Sequence, residues 1–213
     1  MDRKVVAKNG EETHMKTVEF IFDFASPNAY FALKVLREIV GRTGATLTIT
    51  PCLLGGIFKA TGNQAPMIAF APVKGKMDYE MLETRRFVAA HGLTKFSMNP
   101  HFPINSIHAI RGLIVAQNLG VVDTYIDAVL AGFWEQSAAM GDQNVIAGVL
   151  TAAGLDGPAI MEATADAAVK ATLMANTEHA VARGAFGIPT FFIGTDMYFG
   201  KERLGQIEAA LQA

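Results

Sequence analysis

A serine stands where an apolar strand runs into a helix. Phe20-Ile21-Phe22-Asp23-Phe24-Ala25 reads as a buried strand, and Ser26-Pro27-Asn28-Ala29-Tyr30 as a helix start. Serine is a favoured N-cap, and proline suits the first helical position, where a missing N–H costs nothing. Ligands of open α/β sheets bind at such carboxyl ends of strands. The helix start adds free N–H groups and a partial positive charge. An anion is favoured there, and a thiolate is an anion. A thiol with an ordinary pKa of about 8.5 is mostly protonated at neutral pH, and a hydroxyl hydrogen bond with a helix end lowers that value. Two readings of Ser26 follow: the cap of its helix, or a donor to a bound sulfur. A nucleophilic serine is disfavoured, because no base lies near it in sequence and Gly-x-Ser-x-Gly is absent.

Near the other end, Phe186-Gly187-Ile188-Pro189-Thr190-Phe191-Phe192-Ile193 is a strand entered through a proline. A cis Ile188–Pro189 bond, which we expect here, leaves the main chain of Ile188 free to pair with an extended peptide. The plainer alternative is a trans proline at a strand start. Between these segments, Leu53 to Pro66 is a glycine-rich stretch without the spacing of a phosphate loop. Its Lys59 is either solvated or meets a carboxylate, and its Asn63 is placed to hydrogen-bond a peptide. Lys201 and Glu202 open the last helix. Glu202 either complements the helix dipole or accepts from an ammonium group. Asp23 is either a buried hydrogen-bonded group or tunes Ser26. The five histidines, His14, His91, His101, His108 and His179, have no metal-ligand spacing, so no metal is expected.

Composition narrows the classes. Of 213 residues, 51% are hydrophobic and 18% charged, with a net charge of −2. This fits a packed enzyme rather than a disordered chain. The absence of a basic patch argues against nucleic acid. A chain of this length buries on the order of 70% of its unfolded surface and needs no staples. The single cysteine, Cys52, reads as a small buried apolar residue. With no secretory signal visible, a reducing cytoplasm is expected. No apolar run approaches the ~20 residues of a membrane span. Residues 1–14 are polar and read as a disordered extension.

The elements that position these residues follow from periodicity. Val18–Phe24 is a continuous apolar strand. A helix runs from Ser26 to about Gly41, with Phe31, Val35, Ile39 on one stripe and Leu33, Leu36, Val40 on another. Thr46–Thr50 is the second strand, which makes a βαβ unit. Helices are expected over Asp78–His91, Asn105–Asn118, Asp123–Ala139, Gln143–Ala153 and Pro158–Ala182. Thr190–Ile193 and Met197–Phe199 are strands, and Lys201–Leu211 a closing helix. Neither end buries its faces alone, so the expected α/β fold joins 15–54 with 184–213 in one domain and inserts the helical block 55–183.

Taken together the segments resemble the 2-hydroxychromene-2-carboxylate isomerase family, a DsbA-like, thioredoxin-fold group related to the kappa-class glutathione transferases. The matching pieces are Phe22-Asp23-Phe24-Ala25-Ser26-Pro27-Asn28-Ala29-Tyr30, Lys59-Ala60-Thr61-Gly62-Asn63, Phe102-Pro103-Ile104-Asn105-Ser106, Phe186-Gly187-Ile188-Pro189-Thr190-Phe191 and Phe199-Gly200-Lys201-Glu202-Arg203-Leu204. Where a dithiol enzyme of this fold has Cys-x-x-Cys, this chain has Ser26-Pro27-Asn28-Ala29, so dithiol redox chemistry is excluded there. The resemblance implies a glutathione cofactor whose sulfur is stabilised by Ser26. It implies that the main chain of Ile188 before Pro189 pairs with the cysteinyl part, and that Asn63 holds the peptide. Lys59 is implied near a carboxylate of glutathione or substrate, and Glu202 at the γ-glutamyl end with Lys201 in the same segment. The family usually has Asp at that last position. The implied reaction is reversible thiolate addition to a small aromatic, conjugated carboxylate. A kappa-type transferase or peroxidase that consumes glutathione, and a non-catalytic peptide-binding module, are the competing readings. Relatives are often dimers, so a homodimer is a possible assembly.

Overall fold

The computed structural model describes residues 16–213 in full and, before them, the backbone of two short strands, β1 (Lys4–Val6) and β2 (Glu12–His14), paired antiparallel. The rest of the extension expected over 1–14 lies outside the described residues.

Strand β3 (Thr17–Phe22) is central and buried, with Val18, Phe20, Ile21 and Phe22 inside. It ends two residues earlier than its apolar run, at the turn that begins with Asp23. Helix α1 (Pro27–Thr43) follows. Ala29 to Leu33, Val35, Leu36 and Ile39 face the core, which merges the two expected stripes into one broad face. The helix stops because Gly44 takes the left-handed conformation (φ 71°) and donates its N–H to Val40 O, a conformation glycine adopts without strain. Strand β4 (Thr46–Pro51) lies parallel to β3, with Phe20 opposite Ile49.

From Leu54 onward the chain is helical: α2 (Leu54–Thr61), α3 (Pro66–Ala69), α4 (Lys76–Ala90), α5 (Ile107–Leu119), α6 (Val122–Trp134), α7 (Gln143–Ala152), α8 (Gly157–Ala163) and α9 (Ala167–Ala182). Within the glycine-rich stretch, Leu54–Thr61 forms helix α2, capped by Gly62 at φ 70°. Helix α6 ends at Trp134, short of the expected Ala139; two successive N–H groups, of Glu135 and Gln136, converge on Ala131 O and Ser137 turns to φ 55°. The helix expected over Pro158–Ala182 is two helices, broken where Asp166 adopts extended angles (φ −58°, ψ 137°).

Strands return as β5 (Thr190–Ile193) and β6 (Asp196–Phe199). A short 3-10 turn at Lys201–Arg203 leads into α10 (Leu204–Gln212), which packs on α1. The sheet order is β4-β3-β5-β6, with β5 antiparallel to β3 through Glu19↔Phe192, Phe20↔Phe191 and Ile21↔Thr190. The two ends of the chain thus build one sheet, as the pattern required. The outer side of β4 is closed by side chains: Gln117 of α5 donates to Ile49 O (2.8 Å) and Asn176 of α9 to Pro51 O (3.1 Å). Such capping satisfies an edge that would otherwise pair with another chain.

One apolar core runs from the sheet into the helical block. Phe24 stacks on Phe133 of α6 at 6.0 Å. Trp134, fully buried, donates its Nε1–H to Phe24 O at 3.0 Å. Each such aromatic contributes roughly 1.5–3 kcal/mol by burial. Helices α5 and α6 touch through Gly112, where an added Cβ would sit 2.1 Å from the hydroxyl oxygen of Tyr125. Among the described residues no helix is long and apolar enough to cross a membrane.

Candidate functional site

Where β3 ends, Asp23 organises the turn. It is fully buried; Oδ1 accepts from Ala25 N–H (3.0 Å) and Oδ2 from Leu54 N–H (2.8 Å). One carboxylate thereby fastens the β3–α1 turn to the first residue of α2. Burial raises its pKa, and the hydrogen bonds from Ser106, Leu54 and Ala25 only partly counter that. Its oxygens meet the backbone N–H groups of Ala25 and Leu54 and the side chain of Ser106, so Asp23 acts as a fastener of the site's frame.

That turn delivers Ser26, 5% exposed, into contact with the proline loop. Its hydroxyl donates to Ile188 O (3.1 Å) and accepts from Ala29 N–H (3.2 Å). Ser26 is therefore a helix cap, and its oxygen also faces the loop that precedes β5. The Ile188–Pro189 bond is cis.

Four successive carbonyls of that loop are each held by a different part of the chain. Phe186 O accepts from Asn63 Nδ2 (2.7 Å), Gly187 O from the Thr190 hydroxyl (2.7 Å), Ile188 O from Ser26, and Pro189 O from Gly200 N–H (3.0 Å). The pinned carbonyls leave the N–H of Ile188 without a partner among the described residues. The N–H of Asn28, at the start of α1, is likewise unpaired. The Ser26 hydroxyl and the N–H groups of Asn28 and Ile188 are the donors that these two segments could offer an anion.

Most of the residues expected from sequence converge here: Ser26, Asn63, Ile188 and Pro189 directly, and the 200–202 segment through Gly200. Asn63 is already used, since its Oδ1 also accepts from Gln64 N–H (2.8 Å). Lys201 is buried; its ammonium donates to Glu202 Oε1 (2.5 Å) and lies 5.6 Å from the centre of the Phe87 ring. Burial pushes the Glu202 pKa up, but the Lys201 ammonium with the neighbouring charges outweighs it and leaves the value low. Glu202 itself is exposed, so this segment presents a carboxylate to solvent. Lys59 stands apart. It lies exposed on the last turn of α2 and lines a cavity bounded by α5 and α9.

Cys52 is fully buried, and its pKa is pushed up to about 12, first by burial and then by the charges of Asp23 and Glu19. A thiol held that way is inert at neutral pH, so sulfur chemistry at Ser26 needs a sulfur brought from outside. Sequence reasoning gave Trp134 and Ser106 no place at the site. Trp134 fixes the carbonyl of Phe24, two residues before Ser26, from 110 residues away, and no spacing signals that contact.

Residues 17–212 match the model of the DSBA-like thioredoxin domain. The chain is 27% identical over 196 residues to 2-hydroxychromene-2-carboxylate isomerase of Pseudomonas putida, covering 91% of this chain and 93% of that protein. It is 24% identical over 200 residues to glutathione S-transferase kappa 1 of Rattus norvegicus, covering 89% and 88%. A solved 2-hydroxychromene-2-carboxylate isomerase superposes with a TM-score of 0.78 at 26% identity, covering 92% of this chain and 94% of that one. The chain belongs to the DsbA-like thioredoxin family, among relatives that include 2-hydroxychromene-2-carboxylate isomerases and kappa-class glutathione transferases.

Proposed function

We propose that this protein is a glutathione-dependent isomerase of an aromatic, conjugated carboxylate such as 2-hydroxychromene-2-carboxylate. The observation that carries the reading is Ser26: a hydroxyl, not a thiol, at the start of α1, in direct contact with the Ile188–Pro189 loop. Glutathione, when bound, supplies a thiolate that adds to a conjugated double bond and leaves again, so it is returned unchanged.

The residues present fit that cofactor. The Ser26 hydroxyl turns its hydrogen from Ile188 O towards the sulfur, and the Asn28 N–H adds a second donor. The main chain of Ile188 receives the cysteinyl backbone through its unpaired N–H. Asn63 and the Lys201–Glu202 segment border the same loop; Glu202, kept ionised by Lys201, accepts from the γ-glutamyl ammonium. Ala29 carries no thiol, so nothing at the helix start diverts the sulfur into a disulfide. The ring of Phe199, 4.4 Å from that of Phe186 and half-exposed beside Gly187, offers an apolar wall for an aromatic acid.

Calorimetric titration tests the binding step. Glutathione is expected to bind with proton release at neutral pH, measured by varying the buffer's ionisation enthalpy. S-methylglutathione is expected to bind without it. If neither peptide binds, the reading is lost. Binding of glutathione without proton release would overturn the role given to Ser26.

A further inference from the structure

The C-terminal end of α6 grips the chain on both sides of Ser26. Trp134, the last residue of the helix, donates its Nε1–H to Phe24 O at 3.0 Å. The next residue, Glu135, accepts from the Tyr30 hydroxyl at 3.0 Å. Phe24 precedes Ser26 by two residues, and Tyr30 lies about one turn of α1 beyond it. Two consecutive residues of the helical block thus hold the carbonyl before the serine and the side chain after it.

Packing alone does not call for these contacts. Phe24, Tyr30 and Trp134 are each at most 1% exposed, and their surroundings are aromatic. The Phe96 ring lies 6.1 Å from that of Trp134 and 5.8 Å from that of Tyr30, and Phe102 and Phe133 also flank the indole. Phenylalanine at either position would fill such a cluster with no polar atom to satisfy. The indole N–H and the phenol hydroxyl are both paired, and both pairs join α6 to the segment that carries Ser26. The grip is itself anchored: Trp134 O accepts from Ser97 N–H at 2.7 Å, and the Lys34 ammonium lies 3.3 Å from Glu135 Oε1.

We propose that Trp134 and Tyr30, the second acting with Glu135, are positioning residues for Ser26: they fix where its hydroxyl stands against an anion at the start of α1. The inference rests on the glutathione reading for the identity of that anion. A hydrogen bond weakens steeply with poor distance and angle, and a donor has to be held within about 0.5 Å of its productive place. Without the indole N–H the buried carbonyl of Phe24 is left unpaired, which is costly. Its peptide plane then tilts towards another donor and carries residue 26 with it.

The test is titration of bound glutathione, read by thiolate absorbance, in Ser26→Ala, Trp134→Phe, Tyr30→Phe and the two double variants that contain Ser26→Ala. Trp134→Phe and Tyr30→Phe are each expected to cut the thiolate fraction at neutral pH about threefold or more, part of the loss of a charged hydrogen bond. Added to Ser26→Ala, neither is expected to cut it further, because both act through the hydroxyl. Tyr30→Phe leaves Glu135 paired with Lys34, so it reads the grip even where Trp134→Phe unfolds. A wild-type titration in both single variants, or losses that simply add to that of Ser26→Ala, would overturn the proposal and leave these contacts to core stability. If glutathione forms no thiolate on the wild-type chain, the proposed function fails, and the thiol of Ser26→Cys in the protein alone decides the positioning role. Adding Trp134→Phe or Tyr30→Phe is expected to raise the pKa of that thiol, and an unchanged value in both would overturn the proposal.

Discussion

Replacing Ser26 separates two jobs that one oxygen performs. In Ser26→Ala the helix loses its cap, which costs ~1 kcal/mol, and the Ile188 carbonyl loses its donor, about 1 kcal/mol more. The sum, about 2 kcal/mol, lowers Tm by about 4–8 °C at this chain length. The effect on bound glutathione is independent of that sum. A hydrogen bond to a charged group contributes about 1.5–3 kcal/mol, but the hydroxyl must first leave Ile188 O, at a cost of about 1 kcal/mol. The net converts to about one pKa unit, at ~1.4 kcal/mol per unit. The helix end, about 0.3–1 kcal/mol, is retained. The bound thiol is therefore expected to titrate about one unit higher in Ser26→Ala, with a turnover loss of about tenfold where thiolate is limiting. Ser26→Gly isolates the donor, because glycine caps a helix at a cost of only a few tenths of a kcal/mol. It should show the same pKa rise with a smaller fall in Tm. The assay is thiolate absorbance against pH, undisturbed by Cys52, whose own pKa is about 12. An unchanged titration in both variants would refute the reasoning and leave Ser26 as a cap alone.

Further outcomes follow from the same geometry. Ser26→Cys places a thiol at the helix start; with glutathione disulfide its thiolate should bond one sulfur, release the other glutathione as thiolate, and stop there, since Ala29 has no second thiol. Mass spectrometry should show one added glutathionyl group that persists until a reductant is supplied, and spontaneous release would contradict the geometry. Asp23→Asn removes one of two buried acceptors and should destabilise by about 1–3 kcal/mol at acid pH. Because the folded-state pKa of Asp23 is raised, its contribution is full below the unfolded value and is lost as pH rises through the folded one. The gap between wild type and Asp23→Asn in urea titrations should therefore narrow with rising pH, and a widening gap would reverse that sign. Gly112→Ala drives a methyl into the Tyr125 hydroxyl and should cost about 3 kcal/mol. Wild-type urea stability in that variant would mean that α5 and α6 separate freely.

Local signals made part of this structure legible. The continuous apolar run of β3, the Ser26-Pro27 start and the wide apolar face of α1 are short-range patterns, and they placed the βαβ unit. Helix α2 was not legible as a separate element of the helical block, because Gly55 and Gly56 lower its intrinsic propensity. It forms through tertiary contacts: Asp23 accepts from Leu54 N–H, and Gly56 lets the backbone approach Thr177, where a Cβ would stand 3.1 Å from its methyl. The break at Asp166 carries no glycine or proline to announce it. At the site, residue types were readable but partnerships were not. Ser26 and Ile188 are 162 residues apart, Asn63 and Phe186 123 apart, and no periodicity links such pairs.

Turnover of 2-hydroxychromene-2-carboxylate with glutathione at about one hundredth of the substrate concentration, followed by absorbance and by free-thiol titration, tests the isomerase claim most directly. The account predicts conversion to equilibrium with the thiol content unchanged, and no conversion when glutathione is left out. Conversion without glutathione, or one thiol lost for each molecule converted, would contradict it; the second result would identify a transferase that consumes glutathione.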